Sequence, residues 1–527
     1  MGPMDDEELH NLFVAIDSGA LTTIIRYPQD LELFDHLPSF FIHHLGNSYE
    51  RSLHIGAGGG IDLLAAHHYG VSKVHGVEIN PLIVDVVKNQ FDDYAGGIYT
   101  GRLDGVHIHL GEGRSFLERS AASDAYDLIQ LSGVDTSSSS QAGAYALSEN
   151  NLYTTEAFAS YLSHLRPGGI LTLSRWYRPD QKGRKTYSLR LVNVVRAAFR
   201  RLGLDPDGRI FFFRQAKRGG LTVIAVKIEP FTQEESNRGL AFLERNRSHP
   251  TIVPGQRLGN IYEEFLYAPD DEHERLLLEY PYRVGAPTDD SPFFFEIQRL
   301  GNVFRVQNGI WGTNTITGQE TLVVILAELI ALGVVLLGIP LGYLARRRRV
   351  ALPWRWLCYF ALIGFAYMAI EISLSQKLVL YLGHPTYALS VVLAGMLVFS
   401  GMGSFLSPRL AGRERSALAA LVVVLVVVGL VMTPLLDFSL RVGFGARVAV
   451  SLAMIAPIGI LMGLPMPMAI RRADQAAIPF FWGVNGFFSV VGSVVTVVLS
   501  VNSGFSRVFA VATLCYLVAA FAFSRKS

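Results

Sequence analysis

From Thr321 onward the chain is dominated by runs of about 20 apolar residues, the length that a helix needs to cross the ~30 Å hydrocarbon core of a bilayer. The run at 421–428 reads Leu-Val-Val-Val-Leu-Val-Val-Val and contains no polar side chain. We expect an all-α transmembrane domain at 321–527 and contact with membrane lipids. The predicted spans lie at residues 321–344, 356–376, 386–406, 416–436, 446–468, 480–500 and 505–523.

The charges of the chain divide at the same point. Of 46 Lys+Arg and 45 Asp+Glu, residues 321–527 hold 16 and 5, which leaves 30 and 40 in residues 1–320. The first part is therefore acidic and shows no basic face, so we expect no nucleic-acid partner. The two cysteines, Cys358 and Cys515, lie in apolar runs and are too few for a disulfide scaffold or a Cys-based zinc site. We expect no metal.

Clusters of Lys and Arg predict which side of the membrane the loops face. They follow the first, third, fifth and last predicted spans, and with seven spans all four clusters lie on one side. The positive-inside rule makes that side cytoplasmic, which places residues 1–320 outside. The start of the chain shows no signal peptide, however. We expect a cytoplasmic soluble domain, which requires either that spans precede residue 1 in the native protein or that one of the seven does not cross.

Short β-rich runs alternate with helical patterns in the soluble part. This alternation predicts an α/β Rossmann-like domain, with a mostly parallel sheet covered by helices on both faces. Ligands of such sheets bind beyond the carboxyl ends of the strands. The predicted strands are 53–55, 74–77, 106–110, 128–131, 170–173, 210–213 and 221–226. Two of the intervening helices are predicted at 82–91 and 189–202.

A glycine-rich turn, Gly56-Ala57-Gly58-Gly59-Gly60, follows the first of these strands. Such a turn lets a ligand approach the backbone closely, and the next helix offers free N–H groups. Glu78 ends the second strand, 18 residues beyond Gly60, which is the position of an acid that binds both ribose hydroxyls of an adenosine. A structural turn and a solvated strand end are the alternatives. Together the two features favour a nucleoside site.

Polar residues also follow the third and fourth strands. In Gly111-Glu112-Gly113-Arg114 the carboxylate of Glu112 is placed to reach an adenine amino group. Ser132 and Asp135 follow the fourth strand, where catalytic side chains usually face the transferred group. The Ser/Ala-rich stretch 136–144 comes next and is either a lid over the site or a plain surface loop.

At these residues the chain resembles class I S-adenosylmethionine-dependent transferases, and most closely the spermidine-synthase-like family. The narrower resemblance rests on three segments within about residues 50–230. They are Tyr126-Asp127-Leu128-Ile129 through Asp135, then Leu152-Tyr153-Thr154 with Phe158, and Arg166-Pro167-Gly168-Gly169. With the apolar runs that follow, the layout is similar to bacterial multi-span proteins labelled spermidine synthase.

The resemblance implies a small-molecule donor, S-adenosylmethionine or decarboxylated S-adenosylmethionine, and an amine or lipid acceptor. It implies donor contacts at the turn, at the acids and at the fourth strand. These candidate residues are Gly56, Gly58, Gly60, Asp62, Glu78, Glu112, Gly113 and Ser132. The transferred group is then aminopropyl, methyl or aminocarboxypropyl, three alternatives that the sequence does not separate.

The chain departs from the spermidine synthase pattern at three places. Those enzymes carry Asp-Ser-Ser-Asp after the fourth strand, and its first Asp is the base that deprotonates the amine. Ser132 stands at that first position, and Asp135 matches only the second. Gly59 replaces an Asp of their glycine loop, for which Asp62 is close enough to substitute. The N-terminal β-hairpin unit that helps to bind polyamines is not recognisable in residues 1–50.

The predicted catalytic residues are Asp135 as the base and Tyr153 and Glu149 as residues that orient the acceptor. The alternative for Asp135 is a cap of a turn in the Ser-rich loop. Polar residues inside the apolar runs, Glu328, Glu371 and Asn485, either join helices by hydrogen bonds or line a cavity. Besides a transferase, two other function classes therefore stay open. They are a transporter with a nucleoside-sensing soluble domain and a non-catalytic scaffold with a relic site.

We expect four regions in the chain: a lead-in at 1–50, the transferase domain at 51–230, an accessory segment and linker at 231–320, and the membrane domain. In the accessory segment Thr232 and Glu235 have the spacing of a capping box, which predicts the start of a helix. A homo-oligomer is an open alternative.

Overall fold

The computed structural model contains two compact units, Met1–Arg299 and Leu300–Ser527. The residues that it describes are 12–16, 20–28, 31–120, 124–134, 149–176, 186–216, 220–303, 318–350 and 352–524.

The first unit is built on an eight-stranded sheet with the order β10-β8-β9-β7-β6-β3-β4-β5. Strands β5, β4, β3, β6 and β7 are parallel, and β9, β8 and β10 continue the sheet in antiparallel pairs. The strands are β1 Leu12–Ile16, β2 Ala20–Ile24, β3 Arg51–Ile55, β4 Lys73–Glu78, β5 Val106–Leu110, β6 Tyr126–Ser132, β7 Leu165–Trp176, β8 Ile210–Gln215, β9 Leu221–Lys227 and β10 Ser248–Ile252. All seven predicted strands are present, and the Rossmann-like fold is confirmed.

Helices alternate with the strands as the sequence pattern predicts. Helix α6 begins with the predicted capping box, in which Thr232 and Glu235 bond each other's backbone N–H. The helices of this unit are α1 Ile61–His68, α2 Pro81–Asp85, α3 Gly113–Arg119, α4 Thr155–Ser163, α5 Thr186–Leu202, α6 Gln233–Arg245, α7 Ile261–Tyr267 and α8 Asp270–Glu279. A π-helical turn, Val86–Gln90, extends α2, and a 3-10 helix spans Pro38–His44.

The central strands are buried on both faces, which explains why they read as continuous apolar runs rather than as alternating ones. On one face Leu53 and Leu131 pack with α4 and α5. On the other, Leu128 and Ile170 pack with α1 and the 3-10 helix Pro38–His44. Because both layers are closed, ligands reach the sheet only at the edges where its strands end.

The N-terminal segment corrects one expectation. Strands β1 and β2 pair in an antiparallel register from Leu12↔Ile24 to Ile16↔Ala20 and form a hairpin. The sequence pattern of residues 1–50 shows no recognisable hairpin unit, because each strand has only five residues and lies among polar ones.

The second unit is helical. Among its described residues, seven helices are long and apolar enough to cross a membrane, with mean hydropathy between 1.8 and 2.9. They are Gly318–Arg347, Trp354–Leu382, Pro385–Leu410, Glu414–Ser439, Phe444–Ile470, Gln475–Ser503 and Phe505–Phe523. A short helix, α9, spans Leu300–Val303. The predicted α/β domain followed by an apolar helical domain is confirmed.

Two of the polar residues inside these helices are described in detail. Asn485 donates its side-chain N–H to the carbonyl of Phe360, 3.0 Å away on the neighbouring helix. Glu371 lies in Trp354–Leu382 and is half-buried. The bond of Asn485 agrees with the predicted role of such groups in joining helices.

Candidate functional site

The glycine turn connects β3 to α1 at the carboxyl edge of the sheet. Gly56, Gly58 and Gly60 have φ angles of +78°, +54° and +90°, a region that residues with a Cβ atom rarely adopt. Gly56 and Ala57 both donate their N–H groups to the carbonyl of Val77, at 2.9 and 3.1 Å. The turn is therefore fixed to the end of β4 and brings the backbone close to whatever binds there.

The β1–β2 hairpin lies directly against this turn. The N–H of Gly59 donates to Oγ1 of Thr22 at 2.7 Å. A Cβ atom built on Gly59 would lie 2.1 Å from the carbonyl oxygen of Thr23, and one on Gly58 would lie 2.4 Å from Oγ1 of Thr22. Both glycines are thus required by close packing of the hairpin, whatever ligand the turn holds.

Glu78 ends β4 beneath the turn and is buried. Its Oε2 accepts the N–H of Gly58, and its Oε1 accepts the N–H of Asn80, both at 2.8 Å. A carboxylate offers about four lone-pair directions, so two remain for a ligand. The backbone bonds fix the carboxylate at the end of β4, the position that the sequence pattern gives to a ribose-binding acid.

Glu112 lies at the end of the neighbouring strand, since β4 and β5 pair through Glu78 and Leu110. It is the N-cap of α3, where its side chain accepts the N–H groups of Arg114 and Ser115 at 3.1 and 2.6 Å. Burial raises the pKa of the Glu112 carboxyl, and these backbone hydrogen bonds oppose the rise. The residue predicted to reach an adenine is therefore also a helix cap.

Arg114 links this edge to a distant segment of the chain. Its guanidinium donates to both carboxylate oxygens of Asp289, at 2.5 and 2.6 Å. The hydroxyl of Thr154, the N-cap of α4, donates to the same carboxylate at 2.6 Å. The turn at 288–291 is thereby fastened beside the start of α3, a connection that no local sequence pattern predicts.

Asp62 and Ser132 form a pair at the centre of the edge. Asp62 lies in the first turn of α1, and its side chain is buried. Desolvation raises the pKa of Asp62 to about 7, although a hydrogen bond from Ser132 opposes the rise. Ser132 ends β6, and its hydroxyl oxygen also accepts a hydrogen bond from Nε2 of Gln130 at 2.9 Å. This pair places a buried carboxyl at the end of β6.

Of the three residues predicted to act on the acceptor, one is buried, one is half-buried and one lies outside the described residues. Tyr153 is fully buried and stacks on Phe294, with ring centroids 4.6 Å apart. Glu149 is half-buried and lies just before the 3-10 turn Asn151–Tyr153. Asp135 and the Ser/Ala-rich stretch 136–144 lie outside the described residues. The roles of these residues stay predictions.

The ends of four strands converge on one small region. A Cβ atom on Gly113 would lie 2.3 Å from Cγ2 of Ile55, and one on Gly56 would lie 2.5 Å from Cγ1 of Val134. The loops after β3, β5 and β6 are thus in contact, and Glu78 joins β4 to them. The region combines a tight glycine turn, two buried acids and a carboxyl with a raised pKa. Such an arrangement suits a nucleoside with a charged substituent.

Two features of the site escape prediction from the sequence. Thr22 and Tyr99 both bind the glycine turn, the latter through its hydroxyl to the carbonyl of Gly58 at 2.6 Å. The strands of the hairpin that carries Thr22 have only five residues each, so the sequence pattern does not reveal the hairpin. Tyr99 leaves no signal either, since it lies in a stretch without periodicity.

Sequence comparison finds plant spermidine synthases that are similar to part of this chain. One from Coffea arabica is 32% identical over 141 residues, which cover 27% of this chain and 39% of that enzyme. Spermidine synthase 1 from Hyoscyamus niger is 30% identical over 219 residues, which cover 40% of this chain and 64% of that enzyme. The chain spans 37–39% of the length of the first relatives that it matches. No protein-family model matches it.

A crystal structure of a spermidine synthase with the transition state analogue AdoDATO is 17% identical in sequence. The match covers 50% of this chain and 80% of that one, with a TM-score of 0.29.

Proposed function

We propose that this chain, a sequence relative of the spermidine synthases, is a membrane-bound transferase with a sulfonium nucleoside donor. The donor is S-adenosylmethionine or its decarboxylated form. The observation that carries the proposal is the convergence of the glycine turn, Glu78 and Glu112 at one edge of the sheet. The seven apolar helices support the membrane location.

The donor fits the residues present. Gly58 and Gly60 have positive φ angles, which give the turn the shape that brings its backbone to the end of β4. Glu78 has lone pairs left for the two ribose hydroxyls, and its backbone bonds hold it in place. Glu112 is buried at the end of the neighbouring strand, where its side chain can accept a hydrogen bond from an adenine amino group.

The donor supplies a carbon bonded to positively charged sulfur. The acceptor's nucleophilic atom forms a bond to that carbon, and the C–S bond breaks with its electron pair left on sulfur. The protein must hold the two partners in line and take the proton that the acceptor loses. A carboxylate near the strand ends performs the second task.

Asp62 is the described carboxyl that best fits this task. A base whose pKa lies near the working pH is efficient, and the pKa of Asp62 is about 7. By the resemblance to spermidine synthases, Ser132 stands where those enzymes carry their base. In this chain Asp62, on α1, would take over that role from the loop after β6. Asp135 is the alternative base.

The acceptor is an amine or a lipid-like molecule. The similarity to spermidine synthases favours an amine. The membrane domain favours an acceptor that partitions into the bilayer, since an anchored enzyme meets such molecules at high local concentration. The two are separated by offering a soluble polyamine and a lipid amine to the purified protein and measuring the transferred group.

The binding test is a calorimetric titration of the full chain with each of the two donors. We expect binding of at least one donor, and a loss of about tenfold or more in affinity in Glu78→Ala, because hydrogen bonds to a charged group are removed. Glu264→Ala, an exposed carboxylate on α7, is the matched control. Preference for the decarboxylated donor indicates aminopropyl transfer, and preference for the intact donor indicates methyl or aminocarboxypropyl transfer. Absence of binding of either donor contradicts the proposal.

A further inference from the structure

A cavity of about 280 Å³ lies in the first unit, between the end of α8 and the segment 283–291. Three arginines line it: Arg190, Arg283 and Arg299. Among its described lining residues none is acidic, and two hydroxyls, those of Thr288 and Ser291, complete the polar wall. The cavity is therefore strongly positive, although the soluble part of the chain is acidic overall.

The first arginine is structural. Arg190 is fully buried on α5, and its guanidinium donates to the carbonyls of Gly285, Phe294 and Glu296 at 3.1, 2.7 and 2.7 Å. Burial lowers its pKa to about 9, and the charge of Arg283 contributes to the decrease. This side chain fixes the wall of the cavity and adds a positive charge to it. All three of its hydrogen bonds go to backbone carbonyls and none to a carboxylate.

The other two arginines have donor groups to spare. Nη1 of Arg283 and Nε of Arg299 are buried atoms that have no hydrogen-bond partner among the described residues. Burial lowers the pKa of the Arg283 guanidinium. The negative charge of Glu296 opposes this decrease, and the positive charge of Arg299 adds to the decrease. Unpaired buried guanidinium nitrogens are costly, and proteins normally satisfy them. An acceptor with negative charge would satisfy both nitrogens and offset the positive charge of the arginines.

We propose that this cavity binds a phosphate group, carried either by a small soluble phosphate ester or by a phospholipid. Phosphate oxygens accept hydrogen bonds from the fork of donors on a guanidinium, which a single Lys or hydroxyl does not offer. Two arginines with free donors and two hydroxyls match the several oxygens of one phosphate. Leu277 and Leu278 at the wall supply apolar contact for the carbon atoms next to the ester.

The site is connected to the proposed donor site through the backbone. The carbonyl of Pro287, which lines the cavity, accepts both the N–H and the hydroxyl of Thr155 at the start of α4. Two residues after Pro287, the carboxylate of Asp289 accepts a hydrogen bond from the guanidinium of Arg114. A phosphate that fixes the segment 283–291 therefore also fixes the residues beside Glu112. It is a site for an effector or a membrane headgroup, separate from the donor.

The test is a titration of the detergent-solubilised full chain with inorganic phosphate and with short-chain phosphatidylglycerol. We expect both probes to bind, and Arg283→Gln and Arg299→Gln each to weaken binding about tenfold or more. Arg275→Gln, an exposed arginine on α8, removes one charge outside the cavity and is expected to bind like the parent protein. Tighter binding of the lipid assigns the source to the membrane, and tighter binding of phosphate assigns it to a soluble ester.

Folding of the variants is checked by their melting temperatures without phosphate. Because Nη1 of Arg283 is buried and has no hydrogen-bond partner among the described residues, replacement of Arg283 by Gln is expected to change the melting temperature little. Arg283→Lys keeps the charge and is expected to retain part of the binding. Absence of binding of both probes by the parent protein, or equal binding by Arg275→Gln and the two cavity variants, overturns the proposal.

Discussion

Asp289 accepts two hydrogen bonds from Arg114 although 175 residues separate them in the chain. The side chain of Arg114 is 4% exposed and that of Asp289 is 31% exposed, so the guanidinium is buried and its partner is partly open to solvent. Three polar groups meet there, since Thr154 joins the same carboxylate. Replacing Asp289 removes the negative charge that two N–H groups of the buried Arg114 guanidinium contact.

Asp289→Asn is therefore expected to destabilise the soluble unit by about 2–4 kcal/mol, because the buried guanidinium of Arg114 loses one of its two carboxylate partners and keeps only Glu118. That corresponds to a decrease of roughly 5–10 °C in melting temperature for a unit of this size. Intrinsic fluorescence during heating measures it. Asp271→Asn, an exposed carboxylate in the first turn of α8, is the control and should shift the melting temperature little. Equal shifts in both variants would contradict a special role of the pair.

Asp62 gives the stability of the protein a pH dependence of definite sign. Its folded-state pKa is about 7 against an ordinary value of 3.8, so between these values the folded state holds a proton that the unfolded state releases. Stability from this group is present below about pH 4 and is lost as the pH rises to about 7. The loss is on the order of 4 kcal/mol. The difference in melting temperature between Asp62→Asn and the parent protein should therefore be larger at pH 8 than at pH 5.

The same residue predicts a pH dependence of the reaction. If Asp62 takes the proton from the acceptor, the rate at saturating donor rises with pH to a plateau above about pH 7, because the carboxylate is the active form. Asp62→Asn should lose most of the turnover while keeping donor binding. Asp135→Asn is the parallel variant. Turnover that survives Asp62→Asn and disappears in Asp135→Asn would assign the base to the loop after β6.

Glu112 has two proposed roles that one pair of variants separates. Glu112→Ala removes the cap of α3, which costs about 0.5–2 kcal/mol, and also removes the proposed adenine contact. Asn260→Ala removes a similar cap, since the side chain of Asn260 accepts the N–H groups of Tyr262 and Glu263 at the start of α7. We expect both variants to be destabilised and only Glu112→Ala to bind the donor about tenfold more weakly. Calorimetric titration measures the affinity, and unchanged affinity in Glu112→Ala would limit this residue to capping.

Gly59→Ala tests the contact between the hairpin and the glycine turn. The new Cβ atom would lie 2.1 Å from the backbone oxygen of Thr23, so the hairpin must move. We expect a destabilisation of about 1–3 kcal/mol, typical of overpacking, and weaker donor binding. Gly301→Ala is the control, because a Cβ atom there meets no described atom within 4 Å. A melting temperature unchanged by Gly59→Ala would show that the hairpin does not rest on the turn.

The parts of the structure that the sequence predicts are those governed by local patterns. The strands around Leu53 and Leu128 are buried on both faces and appear as short apolar runs. The capping box at Thr232 depends on residues only three positions apart, and the apolar helices depend on length and composition. The glycine turn and Glu78 are found because their spacing along one β-α-β unit is fixed by the fold.

The remaining features arise from contacts between distant segments. The pair of Arg114 and Asp289 joins two positions that no local sequence pattern connects. Tyr153 is predicted from the sequence to orient the acceptor, and its ring is buried against Phe294, a contact set by the packing of the triple Phe at 293–295. The hairpin was hidden by the shortness of its strands, which gain stability from the turn that they cover.

That cover also restricts how the glycine turn can change in evolution. Any side chain at position 59 would collide with the backbone of Thr23. A single substitution there therefore requires the hairpin to shift. The two segments must therefore be exchanged together, and a chimera that takes only the turn from a spermidine synthase is expected to fold poorly, whereas one that takes the turn and residues 12–24 together is not.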